Sequence, residues 1–210
     1  MTRFHLDRGG AVGWGVPDTG LVESPGTVLV EGESDRLAVI AAMRRRGLDP
    51  DAYRVVAMGG VTNIGRHLRE LTAEREDVLV AGLCDAGEER VVVRALGQAG
   101  FGTALDRWDL AALGFFVCVQ DLEDELIRAL GIDAALSVVE AEHELGAFRT
   151  MRQQLAQRDR AREQQLHRFL GSGSGRKIRY APLFVEALPD GALPEPLAGL
   201  VEHLGRWGAG

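Results

Sequence analysis

Apolar and polar residues alternate along this chain in two periods, and the switches between them mark out the elements. Val28-Leu29-Val30, preceded by Pro25-Gly26, is a short fully apolar run and reads as a buried strand over 27–31. From Ser34 the apolar positions recur at helical spacing as far as Arg46, and Gly47 stands where a helix C′ residue is expected. Valine-rich Tyr53–Met58 predicts a second strand running into Gly59-Gly60, after which Thr62 or Asn63 can cap a helix to about Glu74. Asp77–Cys84 is a third strand, Glu88–Gln98 a helix, Leu113–Gln120 a fourth strand, and Leu122–Leu130 an acidic helix. Strands alternating with helices at this spacing imply βαβ units.

From about Ala134 the pattern becomes purely helical. Residues 134–170 are almost free of Gly and Pro and rich in Glu, Gln and Arg, so they predict one or two helices. Gly171-Ser-Gly-Ser-Gly175 reads as a flexible break, a helix follows near Leu183–Ala187, and a terminal one spans Leu197–His203. The expected fold class is α/β, a mostly parallel sheet of about four strands flanked by helices. Three regions result: an irregular lead-in over 1–26, a core over 27–133, and a helical extension over 134–210.

Composition narrows the class. No apolar run approaches the ~20 residues that span a bilayer, and Met1–Asp7 lacks the apolar core of a signal peptide. Two cysteines, both inside predicted strands, make a disulfide framework improbable, so a cytoplasmic, membrane-free protein is expected. A formal charge of −7 argues against coating nucleic acid by bulk attraction. It leaves room for acids that hold cations. The five histidines show no zinc spacing, and no Gly-x-Ser-x-Gly elbow is present. Gly171–Lys177 fails the phosphate-loop spacing, since Arg176 stands where Gly-Lys must begin.

The candidate chemistry lies where strands end. Glu31 and Asp35 flank the turn from the first strand into its helix, at the edge where open α/β sheets place ligands. Asp85 ends the third strand, followed by Gly87, Glu88 and Glu89. Carboxylates gathered at one edge repel unless a cation neutralises them, and oxygen ligands favour Mg²⁺ or Mn²⁺ over zinc. Each acid taken alone is also ordinary turn or first-turn chemistry. Gly59-Gly60 resembles a small-residue turn that a phosphate can approach closely, although a tight loop explains it equally well. Arg176, Lys177 and Arg179 form a basic run able to meet phosphate.

Val-Glu31-Gly-Glu-Ser-Asp35 with a strand-terminal Asp85 resembles the TOPRIM domain, the metal-binding module of topoisomerases, primases and related nucleases. Asp121-Leu-Glu123-Asp-Glu-Leu126 and Arg176-Lys177-Ile-Arg179 extend the likeness, over roughly residues 27–204, to the OLD (overcoming lysogenization defect) nucleases. Those proteins carry an acidic Leu-Glu motif and a late lysine just before a helix. The resemblance implies a Rossmann-like TOPRIM core and divalent-metal-dependent cleavage of nucleic acid, DNA before RNA. It implies one or two Mg²⁺ or Mn²⁺ ions on Glu31, Asp35, Asp85, Glu89 and Glu123, with Glu31 and Lys177 as catalytic residues. It also implies phosphate contact by Gly59, Gly60, Arg176, Lys177 and Arg179.

One departure stands out. The second acid of the family's DxD pair is Gly87 here, and Glu88 or Glu89 is long enough to substitute. The alternatives this leaves are a non-catalytic TOPRIM-like module that binds nucleic acid or an ATPase, and a nucleotidyl transferase as in primases. OLD proteins begin with an ATPase domain, of which this sequence carries no motif, so a separate ATPase or a homodimer is the expected protein partner.

Overall fold

A computed structural model describes residues 26–74, 79–173 and 175–207. The expected lead-in, apart from Gly26, and the first residues of the expected third strand, Asp77 and Val78, lie outside them. Four strands form one sheet: β1 (Thr27–Val30), β2 (Arg54–Ala57), β3 (Val80–Asp85) and β4 (Phe115–Cys118). All pairings are parallel, in the order β2-β1-β3-β4. The parallel α/β sheet read from the apolar runs is therefore the one found.

That order determines where a ligand can sit. The chain leaves β1 for β2 on one side and then returns past β1 to β3 on the other. Neighbouring strands β1 and β3 thus send their connections in opposite directions, which opens a crevice at their carboxyl ends.

Side chains alternate across the sheet and build two cores. Val28 and Val30 of β1, with Ala81 and Leu83 of β3, pack toward α1 (Glu33–Arg45), α5 (Leu122–Leu130), α9 (Arg176–Ala187) and α10 (Glu195–Trp207). Leu29, Val80 and Cys84 point to the opposite face, against α2 (Ile64–Glu74), α3 (Glu89–Gln98) and α4 (Arg107–Ala112). Helix α1 closes as read: Gly47, at φ +73°, donates to Arg44, and Leu48 donates to Met43, so two terminal carbonyls are satisfied.

The helical region departs from expectation in two places. The stretch 134–170 contains three helices, not one or two: α6 (Ile132–Ala141), α7 (Leu145–Arg152) and α8 (Arg162–Gly171), with breaks over 142–144 and 153–161. Helix α9 starts at Arg176, so Lys177 lies inside its first turn and not ahead of a helix at Leu183. Pro182 lies inside this helix, although proline lacks the N–H that would bond back one turn. Burial of Tyr180, Ala181, Phe184 and Val185 against the core overrides that local cost. Helix α4 carried too short a pattern to be read. None of the described helices is long and apolar enough to cross a membrane.

Candidate metal centre

Glu31 leaves β1 at the crevice. Its carbonyl accepts from the N–H groups of both Gly59 (3.0 Å) and Gly60 (3.1 Å). Gly59 and Gly60 adopt φ +71° and +117°, backbone states that side chains resist, and this lets the turn after β2 fold onto the end of β1. The turn therefore buttresses Glu31 and directs these two amides at the protein itself.

Asp85 is the last residue of β3, and Glu88 follows after one turn, its N–H bonded to the Asp85 carbonyl at 2.9 Å. Glu31, Asp85 and Glu88 each offer one carboxylate oxygen, and these oxygens lie within 4.8 Å of one another. Nothing cationic among the described residues forms an ion pair with any of the three. Burial first, and then the charges of Asp121, Asp35, Glu31 and Glu88, pushes Asp85 up to about 7. Burial, followed by the adjacent Glu31 and then Asp35, raises Glu88 to about 7. Glu88 Oε2 is buried without a hydrogen-bond partner. Oxygen-only donors, electrostatic crowding and an unsatisfied inward oxygen together fit a hard divalent cation.

A second group of charges lies alongside. Asp35, in the first turn of α1, accepts from the Gly32 N–H at 2.9 Å and is raised to about 6, by burial and then by Glu123. Glu123, in the first turn of α5, is 4% exposed; its Oε1 is buried without a partner. Its Oε2 sits 3.1 Å from Lys177 Nζ, which also lies 3.9 Å from Asp121. Burial alone would lower Lys177, but Glu123, Asp121 and Asp35 outweigh it, so the ammonium is held charged. Asp121 caps α5 through the Asp124 N–H (2.8 Å), and its other oxygen is 2.6 Å from His167 Nε2. That contact raises His167, and it holds Asp121 low against the upward effect of burial. Among the described residues, Asp35 and Glu123 do not enter the close trio.

Other residues singled out in the sequence sit elsewhere. Glu89 does not reach the cluster, because its carboxylate accepts from Arg107 at 2.8 Å. Helix periodicity explains the difference between the two glutamates. Val92, Ala95 and Leu96 form the buried stripe of α3, and stepping back one turn from Val92 reaches Glu88. Arg176 bonds Glu144 at 3.0 Å and lies 4.0 Å over the Phe169 ring. Arg179 reaches the same Glu144 at 3.2 Å, as does the Tyr180 hydroxyl at 3.0 Å. Both arginines thus close a structural ion-pair network, and of the basic run only Lys177 joins the acids. The Asp121–His167 pair went unread, since residues 46 apart leave no local signal.

Two further features bound the chemistry. Cys84 and Cys118 lie buried at the ends of β3 and β4, and burial raises both thiols, Cys84 to about 12, so neither is a thiolate nucleophile. A cavity of about 400 Å³ follows the free edge of β4 along Phe115, Phe116 and Val117, but Glu31, Asp85 and Glu88 do not line it.

No family model matches this sequence, and no curated protein matches it. Solved structures do. The C-terminal region of the Xanthomonas campestris pv. campestris OLD protein superposes with a TM-score of 0.65 at 23% identity, covering 89% of this chain and 98% of that one. The C-terminal region of the Burkholderia pseudomallei OLD protein gives a TM-score of 0.63 at 18% identity, covering 87% and 98%. The fold is thus that of the C-terminal region of OLD proteins, as the motif resemblance implied, and at these identities the likeness is one of fold.

Proposed function

We propose that this protein is a divalent-metal-dependent nuclease that hydrolyses phosphodiester bonds, in DNA before RNA. The observation that carries the reading is the convergence of Glu31, Asp85 and Glu88 at the β1/β3 crevice with an unsatisfied buried oxygen among them. In this reading those three acids hold one Mg²⁺ or Mn²⁺, with Glu88 doing what the sequence offered to Glu88 or Glu89. Asp35 and Glu123 are the ligands available to a second ion, and the partnerless Glu123 Oε1 supports that assignment. A bound divalent ion supplies charge neutralisation at the phosphate and an acidified water.

The chain's own residues do the rest. Lys177, kept charged by Glu123 and Asp121, is positioned to balance negative charge that builds on a phosphate beside the acids. Asp121 and His167 orient that lysine and the start of α5. Gly59 and Gly60 hold the carbonyl of Glu31 so that its side chain keeps its place at the strand end. The partner is nucleic acid, and a separate ATPase or a second copy of this chain is the protein partner the resemblance implies.

The test is cleavage of supercoiled plasmid and of single-stranded DNA in Mg²⁺, Mn²⁺ and EDTA, with Glu31→Gln alongside. Nicking that needs the metal and disappears in the variant is expected. Absence of cleavage together with absence of Mn²⁺ binding by calorimetry would refute the reading and favour a non-catalytic binding module.

A further inference from the structure

On the face of the sheet opposite Lys177, α2 and α3 both begin at the edge that carries the acids. Helix α2 follows the Gly59-Gly60 turn that holds Glu31, and α3 follows Glu88. Between the two helices runs a groove of about 250 Å³, lined among others by Asn63, Arg66, Arg69, Arg94 and Gln98. Small residues face each other across the helix pair: a Cβ placed on Gly65 would lie 3.9 Å from the Ala95 methyl, at ordinary contact distance.

The charge of this groove runs against that of the molecule. The chain carries a net −7, yet three guanidinium groups border one concave strip. Among the described residues, Arg69 and Arg94 have no acidic partner within 4 Å, and Arg66 has only Glu70 at 3.9 Å, both side chains more than half exposed. Basic faces are commonly just solvated. Three features set this one apart: it is concave, the Gln98 amide lines it among the arginines, and its lining includes Thr62 and Val91, close in sequence to the loops that position Glu31 and Glu88.

We propose that this groove carries the phosphodiester backbone of a nucleic-acid strand as it leaves the metal centre, with Arg66, Arg69 and Arg94 contacting successive phosphates. Guanidinium groups on a solvent-open wall suit this task, since each pairs with two phosphate oxygens without reading the base. The inference rests on the nuclease reading for its choice of ligand, and its test does not require cleavage.

The experiment is fluorescence anisotropy of a labelled single-stranded oligonucleotide across a salt series, in EDTA so that no hydrolysis occurs. Wild type is compared with the combined variant Arg66→Ala, Arg69→Ala, Arg94→Ala and with its all-lysine counterpart. Losing three phosphate contacts lowers the log–log salt slope by about two and weakens binding about 30-fold or more at moderate salt. The lysine variant retains most of the slope. All three arginines are exposed and outside both hydrophobic cores, and circular dichroism verifies that the variants fold. Equal binding by wild type and the alanine variant overturns the groove while leaving the nuclease reading intact. Failure of wild type to bind at low salt overturns it as well. Loss of binding in the alanine variant of a protein that never cleaves DNA leaves the groove standing and removes the nuclease. Displacement of the oligonucleotide by millimolar inorganic phosphate at constant ionic strength identifies a small-anion site and overturns the strand path.

Discussion

Asp85→Asn tests the electrostatics of the metal centre directly, because it removes one charge and keeps the shape. Asp85 is raised from the ordinary 3.8 to about 7, by burial first and then by four neighbouring acids. Taken at face value that shift is worth ~4 kcal/mol. The carboxylate is only partly buried, so solvent screening reduces this to about 1–2 kcal/mol. The sign follows from linkage. A group whose folded pKa exceeds its unfolded value adds stability that is complete below about pH 4 and is lost as pH rises toward about 7. Metal-free wild type is therefore less stable at about pH 8 than near pH 5, and the amide lacks this part of the slope.

For a chain of this size, 1–2 kcal/mol corresponds to a Tm about 3–6 °C higher for Asp85→Asn in EDTA at about pH 8. The difference should close as pH approaches about 4. Asp35 and Glu88 titrate in the same sense and are shared by both proteins. His67 and His203, both lowered, act in the opposite sense and cancel in the comparison. Adding Mn²⁺ should invert the order: at 100-fold excess over Kd a bound ion stabilises wild type by about 2.7 kcal/mol, and the variant loses most of that gain. Differential scanning calorimetry in EDTA and in MnCl₂ reads both effects. An Asp85→Asn protein that melts below wild type in EDTA, or keeps the whole Mn²⁺ shift, would show that the acids are not held under mutual repulsion for a cation.

Other predictions can be lost just as plainly. Glu31→Gln should remove metal-dependent cleavage and weaken Mn²⁺ binding in calorimetry while its circular dichroism stays unchanged; intact Mn²⁺ affinity would place the ion elsewhere. Lys177→Ala should lower turnover ~100-fold with little change in DNA affinity, as loss of a transition-state donor does. A fall in affinity alone would make Lys177 only a phosphate contact. Gly87→Asp should fold normally, since nothing lies within 4 Å of a Cβ there, and it should tighten Mn²⁺ binding by returning the second acid of the DxD pair. Unchanged affinity in that variant would show that Glu88 already fills the role.

Much of this molecule is legible in its sequence. Runs such as Val28–Val30 and Val80–Cys84 are apolar on both faces because parallel strands are covered on both sides. Acids that directly follow such runs must emerge at the carboxyl edge, so Glu31 and Asp85 could be placed together from the sequence alone. What tertiary structure decided involves long separations or competition among contacts. Glu88 and not Glu89 meets Glu31, because the buried stripe of α3 orients one and Arg107 takes the other. Pro182 sits inside α9 because packing outweighs its lost hydrogen bond, and that helix carries Lys177 to Glu123, 54 residues earlier. Arg176 and Arg179 go to Glu144, while Arg66, Arg69 and Arg94 gather in a groove that no linear motif marks. Local patterning dictates which face of an element is buried; only the packed fold determines which charged side chains, distant in sequence, share a neighbourhood.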